Sequence, residues 1–217
     1  MKLNEKFVIT VSREVGSGGH TVGKKLAERL GVRFCDKNVI HRLMEQFNLS
    51  VYEIESIKSR KKSWIADLFD SIAPVSRNEP FLVSAPHAEA LRVSADEIAG
   101  AEKEILKALA EESSCVIAGR AAFALLAEMP NKLDVFIRSS EQNRIDRVVR
   151  KQGLTPEQAK AVIDNIDEGR ENYVQRICGR SRYDSRNYDL VINMDQMESE
   201  DAAVDVILKF FPGLSSD

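Results

Sequence analysis

Cysteine, tryptophan and proline are all scarce in this chain. Three cysteines stand among 217 residues, at Cys35, Cys115 and Cys178. Their number is odd and their spacing fits no metal site, which excludes a disulfide framework or thiolate zinc site and points to reduced thiols in a cytoplasmic protein. No stretch approaches the roughly 18 apolar residues of a membrane span. The apolar run within MKLNEKFVITVS is too short for a signal peptide. An excess of one charge is also missing, because 31 basic residues meet 34 acidic ones for a net charge of −3. That balance gives no support to wholesale binding of nucleic acid or adsorption to a membrane. Internal repeats and low-complexity tracts are absent. What is left is a chain long enough for one sizeable core.

Glycine is concentrated early. Phe7 to Gly31 reads FVITVSREVGSGGHTVGKKLAERLG. Phe7 to Val11 is a β-prone apolar run suited to a parallel strand covered on both faces. Gly16, Ser17, Gly18 and Gly19 follow, and from His20 the spacing turns helical. Val22, Leu26, Ala27 and Leu30 lie on one side of that helix, and Lys24, Lys25, Glu28 and Arg29 on the other. Glycines let the backbone turn with positive φ and bring several N–H groups to a phosphate, while the helix dipole is aimed at the same place. The pattern G-x-x-x-x-G-K-[ST] laid on Gly18 to Lys25 ends on a lysine, which cannot serve as the magnesium-binding hydroxyl. A second register, Arg13 to Thr21, keeps the loop between strand and helix, with Gly19 in the place of the usual lysine and Thr21 as the hydroxyl. The missing charge would then come from Arg13 or Lys24. An ordinary βα turn, glycine-rich for close packing, is the alternative on this segment alone.

Farther along, VRFCD (residues 32–36) reads as a second strand that leaves Asp36 at its carboxyl end, either beside the glycine loop or capping a helix. Residues 38–47 are predicted helical, and Ser50 with Glu53 makes a capping box for a helix running toward Lys62. From Ser63 to Ala90 the periodicity fails, broken by Pro74, Pro80 and Pro86. Such a stretch is expected to serve as a mobile substrate flap, an interaction surface or a disordered loop. Within it Trp64, Ile65, Leu68, Phe69 and Ile72 fit an apolar stripe. Ser94 and Glu97 open a helix through Leu109 with Ile98, Ala101, Ile105 and Leu109 on one face. SCVIAG is a third strand ending at Arg120, and an arginine at the mouth of a buried strand needs an anion, from a substrate phosphate or from a salt bridge. KLDVFIR is a fourth strand.

Arg144, Arg147 and Arg150 then lie along one side of a helix capped by Ser140. Thr155, Pro156 and Gln158 start another helix, which carries Asp164, Asp167, Arg170, Tyr173 and Arg176. From Arg138 to Arg186 there are nine arginines and two lysines. That bias favours forked recognition of phosphate or carboxylate oxygens, with a salt-bridged surface hairpin as the alternative. YDLVINM (188–194) is the fifth strand, and a helix bearing Ala202, Val204, Ile207, Phe210 and Phe211 closes the chain before Pro212 and Gly213.

Five strands separated by helices, the first leading into a phosphate loop, predict a three-layer, doubly wound α/β domain with a parallel five-stranded sheet. ITVSREVGSGGHTVGKKLAERLG, FCDKNVI, CVIAGRAAFALL, RIDRVVRKQGLTPEQAKAVIDNIDEGRENY and YDLVIN together resemble the cytidylate kinase-like proteins, within the nucleoside monophosphate kinases of the P-loop NTPases. The likeness spans nearly the whole chain except Ser63 to Ala90. It implies one P-loop kinase domain over 1–217, with a helical acceptor-binding segment at 37–113 interrupted by an irregular insertion at 63–90, and an arginine-rich lid at 140–186. It implies ATP and Mg²⁺ as cofactors and CMP or dCMP as acceptor. Partners are expected to be small nucleotides, without nucleic acid or membrane, and the protein a monomer or homodimer.

Carried over by position, Arg13, Gly16, Ser17, Gly18, Gly19, His20, Thr21 and Lys24 would hold the ATP phosphates. Thr21 and Asp36 would place the metal, while Asp36 and Arg120 would meet the acceptor. Arg144, Arg147 and Arg170 would surround the transferring group, with Asp167 orienting them. Two departures stand out. The loop lysine is missing, although the cytidylate kinase-like subgroup also reads SRE-x-GSGG. Ala118 and Ala121 flank Gly119 and Arg120 where typical cytidylate kinases carry acids, which bears on the base rather than on phosphoryl transfer. A nucleotide-binding regulatory module and a kinase of another small phosphate acceptor are the competing readings.

Overall fold

Alternation of β-prone apolar runs with amphipathic helices folds into one parallel sheet with helices on both faces. The computed structural model describes residues 5–59 and 93–210. The expectations for the 63–90 insertion, its Trp64 to Ile72 stripe and its prolines, and for Phe211, Pro212 and Gly213, lie outside the described residues. The strands are β1 Val8–Arg13, β2 Arg33–Cys35, β3 Cys115–Ala118, β4 Lys132–Arg138 and β5 Leu190–Asn193. All pairings are parallel and the spatial order is β2-β3-β1-β4-β5. The chain reverses its direction of winding on either side of β1. In open α/β sheets the ligand crevice lies at such a point, beyond the carboxyl ends of the strands.

Helix α1 (Gly19–Leu30) and helix α8 (Glu200–Leu208) cover one face, where Ile9, Val11, Val22, Leu26, Val135, Ile137, Val204 and Ile207 share a core. The other face is covered by α2 (Lys37–Phe47), α3 (Val51–Ser59), α4 (Ala95–Glu112), the single turn α5 (Ala122–Leu125) and the carboxyl half of α7 (Pro156–Cys178). Helix α6 (Glu141–Gln152) makes a hairpin with α7, held by Ile145, Val148, Ala159 and Ile163. Capping chemistry sets several boundaries. Ser94 with Glu97 and Thr155 with Gln158 form reciprocal capping boxes, and Ser140 accepts from the Asn143 N–H.

Two faces differ from expectation. On α4 the fully buried positions are Ile98, Glu102, Leu106 and Leu109, while Ala101 and Ile105 are only partly covered. A buried ion pair made by Glu102 sets that rotation. On α8 the core takes Ala203, Val204 and Ile207 and leaves Phe210 exposed.

Candidate functional site

The site is built at the carboxyl ends of the strands, beginning with the loop from Glu14 to Gly18. Gly16 and Gly18 have φ of 79° and 88°, backbone that side chains with a Cβ rarely adopt. Helix α1 starts at Gly19 with no acidic residue in its first turn, so its positive end is open to an anion. The Val15 N–H donates to the Asp167 carboxylate at 3.2 Å, the Ser17 N–H to the Glu14 carbonyl at 3.3 Å and the Gly19 N–H to the Ser17 hydroxyl at 3.3 Å. The N–H groups of Gly16, Gly18, His20 and Thr21 meet no acceptor among the described residues. A row of N–H donors at a helix start is a phosphate cradle by geometry. Counted on the eight-position pattern from Arg13, Gly19 falls on the lysine position and His20, not Thr21, on the hydroxyl position. Thr21 is the third residue of α1.

Arginines ring this loop. Arg144 Nη1 donates to Asp167 at 2.6 Å and to the Val15 carbonyl at 3.3 Å, while its buried Nε makes no hydrogen bond among the described residues and lies 3.9 Å from the Glu14 carboxylate. Arg182 Nη1 donates to Asp167 at 3.0 Å, and its Nη2 to the Arg13 carbonyl at 2.5 Å. Arg170 reaches the same carbonyl at 3.3 Å and Asp167 more distantly at 3.5 Å. Asp167 therefore gathers Arg144, Arg170 and Arg182. It does not orient Arg147, whose guanidinium is held by Glu200 at 2.7 Å and lies over Gly18. Arg150 lines a cavity of about 620 Å³ together with Gly16, Ser17, Asn143, Arg147 and Met197. Lys24 departs from expectation: it extends into solvent beside Glu28 at 3.8 Å. Helical periodicity places it a turn beyond the loop.

Across the crevice Asp36 occupies the position before α2 without capping it, and accepts a hydrogen bond from His20 Nε2 at 2.9 Å. Burial raises its pKa, but the His20 bond and the Arg13 and Arg120 charges win and hold it at about 2. Gly119, Arg120 and Ala121 follow β3 with φ of 73°, 59° and 49°. A run of left-handed residues with side chains is strained, and such strain collects at functional sites. The turn throws Arg120 back over the sheet edge, where it pairs with Glu55. Burial would lower its pKa, yet Glu55, Glu102 and Asp36 raise it on balance. Behind it lies a buried chain of charges. Lys58 is 4.0 Å from Glu55, bonds Glu102 at 2.9 and 3.0 Å, and sits 4.2 Å over the Tyr173 ring, while the Tyr173 hydroxyl donates to Glu102.

Arg13 lies at the centre. Burial and the nearby Arg170 lower its pKa to about 9, against the opposing pull of Asp36. Five guanidiniums (Arg13, Arg120, Arg144, Arg170 and Arg182) share four carboxylates (Glu14, Asp36, Glu55 and Asp167). One positive charge is left over for a ligand. Glu14, Glu55 and Arg182 carried no sequence signal of their own. Arg182 stood in the polar loop GRSRYDSRN, and only folding places it under Arg13.

Among the described residues no group of three or more His, Cys, Asp or Glu side chains could hold a metal, and no helix is long and apolar enough to cross a membrane. Mg²⁺ bound mainly through substrate phosphates needs only one or two protein groups. The Asp36 carboxylate fits that demand.

No curated protein matches the sequence. Among solved structures, an uncharacterized protein from Eubacterium ventriosum is 24% identical with a TM-score of 0.66, over 95% of this chain and 99% of that one. TT1252 from Thermus thermophilus is 16% identical with a TM-score of 0.52, over 96% and 100% of the two chains. Shikimate kinase from Bacteroides thetaiotaomicron is 16% identical with a TM-score of 0.50, over 94% and 97%. These likenesses share the fold of the P-loop kinases. The sequence profile of the cytidylate kinase-like family matches residues 8–196, and with the glycine loop, the GR turn and the arginine hairpin all within that span, the chain belongs to the cytidylate kinase-like family.

Proposed function

We propose that this protein transfers a phosphoryl group from ATP, with Mg²⁺, to a nucleoside monophosphate, CMP or dCMP first. The observation that carries the reading is the set of loop amides of Gly16, Gly18, His20 and Thr21, which meet no acceptor among the described residues, beneath a ring of guanidiniums with one surplus charge. Phosphoryl transfer asks for alignment and neutralisation of charge more than for a protein nucleophile. In this reading residues 13–21 hold the donor phosphates, Arg144, Arg147 and Arg170 surround the group in transit, and Asp167 sets Arg144 and Arg170. Asp36 and Arg120 take the acceptor side, and Asp36 would hold Mg²⁺, which would screen the phosphate charges, while Thr21 contributes its backbone N–H to the cradle. Residues 37–113 form the acceptor segment and 140–186 the lid over ATP. The cavity beside Arg147 and Arg150 has the size of a small-molecule site and suits the nucleoside end of ATP. Free thiols at Cys35, Cys115 and Cys178 accord with a cytoplasmic setting, and the protein acts as a monomer or homodimer.

One observation favours a different acceptor. Ala118 and Ala121 are buried beside Arg120 and offer no side-chain hydrogen-bond group to a cytosine. A coupled ADP-release assay over nucleoside monophosphates and other small phosphate acceptors tests the reading. Turnover is expected with a pyrimidine monophosphate. Turnover with none of them would remove the acceptor assignment, and ATP binding without any transfer would favour the regulatory module.

A further inference from the structure

The loop lacks a lysine and also lacks room for one. A Cβ on Gly19 would lie 2.5 Å from Arg13 Cβ and 2.9 Å from Ile137 Cβ, closer than packed carbons approach. The obstruction at Gly19 is thus largely the stem of Arg13. At the other end of the same side chain, a Cβ on Gly119 would lie 1.9 Å from Arg13 Nη1. Arg13 therefore runs from the first residue of α1 to the turn after β3, across the gap between adjacent strand ends. Glycine makes the space at both ends. No group among the described residues accepts a hydrogen bond from its guanidinium, while its carbonyl is taken by Arg170 and Arg182. The other candidate cation, Lys24, points to solvent.

We propose that Arg13 is a catalytic residue that replaces the absent loop lysine, and that its reach to the Gly119–Arg120 turn puts it on the phosphoryl group in transit and on the acceptor's own anionic group. The inference rests on the kinase reading given above. A side chain used only to tie β1 to β3 would have an acceptor on β3. Here it is instead crowded by Arg170, Arg120 and Arg182, with burial depressing its pKa to about 9. A guanidinium in that position lowers the stability of the empty protein and is relieved when an anion arrives.

Two variants separate the roles. R13M removes the charge and keeps an unbranched stem, and R13K restores a charge. In ligand-free protein the R13M thermal midpoint is expected to equal or exceed that of wild type. By calorimetry in MgCl₂, ATP affinity should fall about tenfold or more through loss of a charge-assisted contact, while ADP affinity stays within about twofold. Turnover should fall about a hundredfold or more, with R13K recovering part of it. ATP affinity and turnover within threefold of wild type in R13M overturns the proposal and leaves the kinase reading standing. So does an R13M midpoint well below wild type that R13K restores, which marks a structural tie. A wild-type chain that neither binds ATP nor transfers phosphate removes the kinase reading, and this proposal with it.

Discussion

Replacing Asp167 by asparagine should unfold this protein more readily than any other single charge removal on α7. Asp167 is 5% exposed, and its carboxylate receives Arg144 at 2.6 Å, Arg182 at 3.0 Å, Arg170 at 3.5 Å and the Val15 N–H at 3.2 Å. Two short charge-assisted bonds contribute about 1.5–3 kcal/mol each. Removing one partner of a buried pair costs about 3–5 kcal/mol, because the other charge is left uncompensated. Arg182, itself buried, would suffer that fate. Taking about 4 kcal/mol and roughly 2–4 °C per kcal/mol for a chain of this size, the thermal midpoint should fall by about 8–16 °C. Urea titrations with an unchanged slope would confirm that native stability, rather than the unfolded state, has changed. The control is Asp164→Asn, three residues earlier on the same helix, where the carboxylate is exposed beside Lys160 at 3.3 Å. Its midpoint should stay at the wild-type value. A D167N midpoint within about 2 °C of wild type, which is under 1 kcal/mol, would refute the idea that this carboxylate ties the α6–α7 hairpin to the glycine loop.

Glu102→Gln should destabilise by about 3–5 kcal/mol by leaving buried Lys58 with only the more distant Glu55, which Arg120 already engages, and in urea a Lys58→Met/Glu102→Met pair should recover much of the loss. Asp36, whose pKa is held at about 2 in the folded chain, contributes stability that is complete above the unfolded carboxylate value and fades as pH falls toward 2. Urea midpoints from pH 5 to pH 2.5 should therefore decline less steeply in Asp36→Asn. Arg170→Ala should lower kcat by about two orders of magnitude with ATP affinity within about threefold, the pattern of a group acting on the transition state. Equal losses in both would mean uniform binding. Gly16→Ala sets a Cβ 2.6 Å from the Arg144 carbonyl at φ 79°, and should weaken both ATP affinity in calorimetry and the thermal midpoint by prying α6 off the loop.

The fold was readable because most strands are centred on a short β-prone apolar run, as in VITV, CVIA and VFI, and the principal helices carry recognisable caps. KLDVFIR became β4 at its expected bounds, and Thr155 with Gln158 opened α7 as its spacing implied. The glycine loop was readable for the same reason, since Gly16 and Gly18 do adopt the left-handed backbone that a cradle requires. The partners of each charge were not readable. Arg120 meets Glu55, 65 positions away, and Arg182 reaches back to Arg13 across 169. No local periodicity encodes such pairings. Glu102 was hidden for a related reason, because a carboxylate on an amphipathic helix reads as solvent-facing until Lys58 is seen beside it. Lys24 misled because sequence proximity to the loop hides its angular position on the helix.

The two glycines that flank Arg13 also constrain how this family can diverge. A chain carrying Arg13 cannot gain a lysine at position 19 by one substitution, since the newcomer's Cβ would collide with the Cβ of Arg13 and with that of Ile137. Losing Arg13 first would leave the loop with neither cation. The two solutions are therefore separated by an unfit intermediate, and sequences built on one should stay with it over long descent, with Gly19 and Gly119 changing only in concert with residue 13.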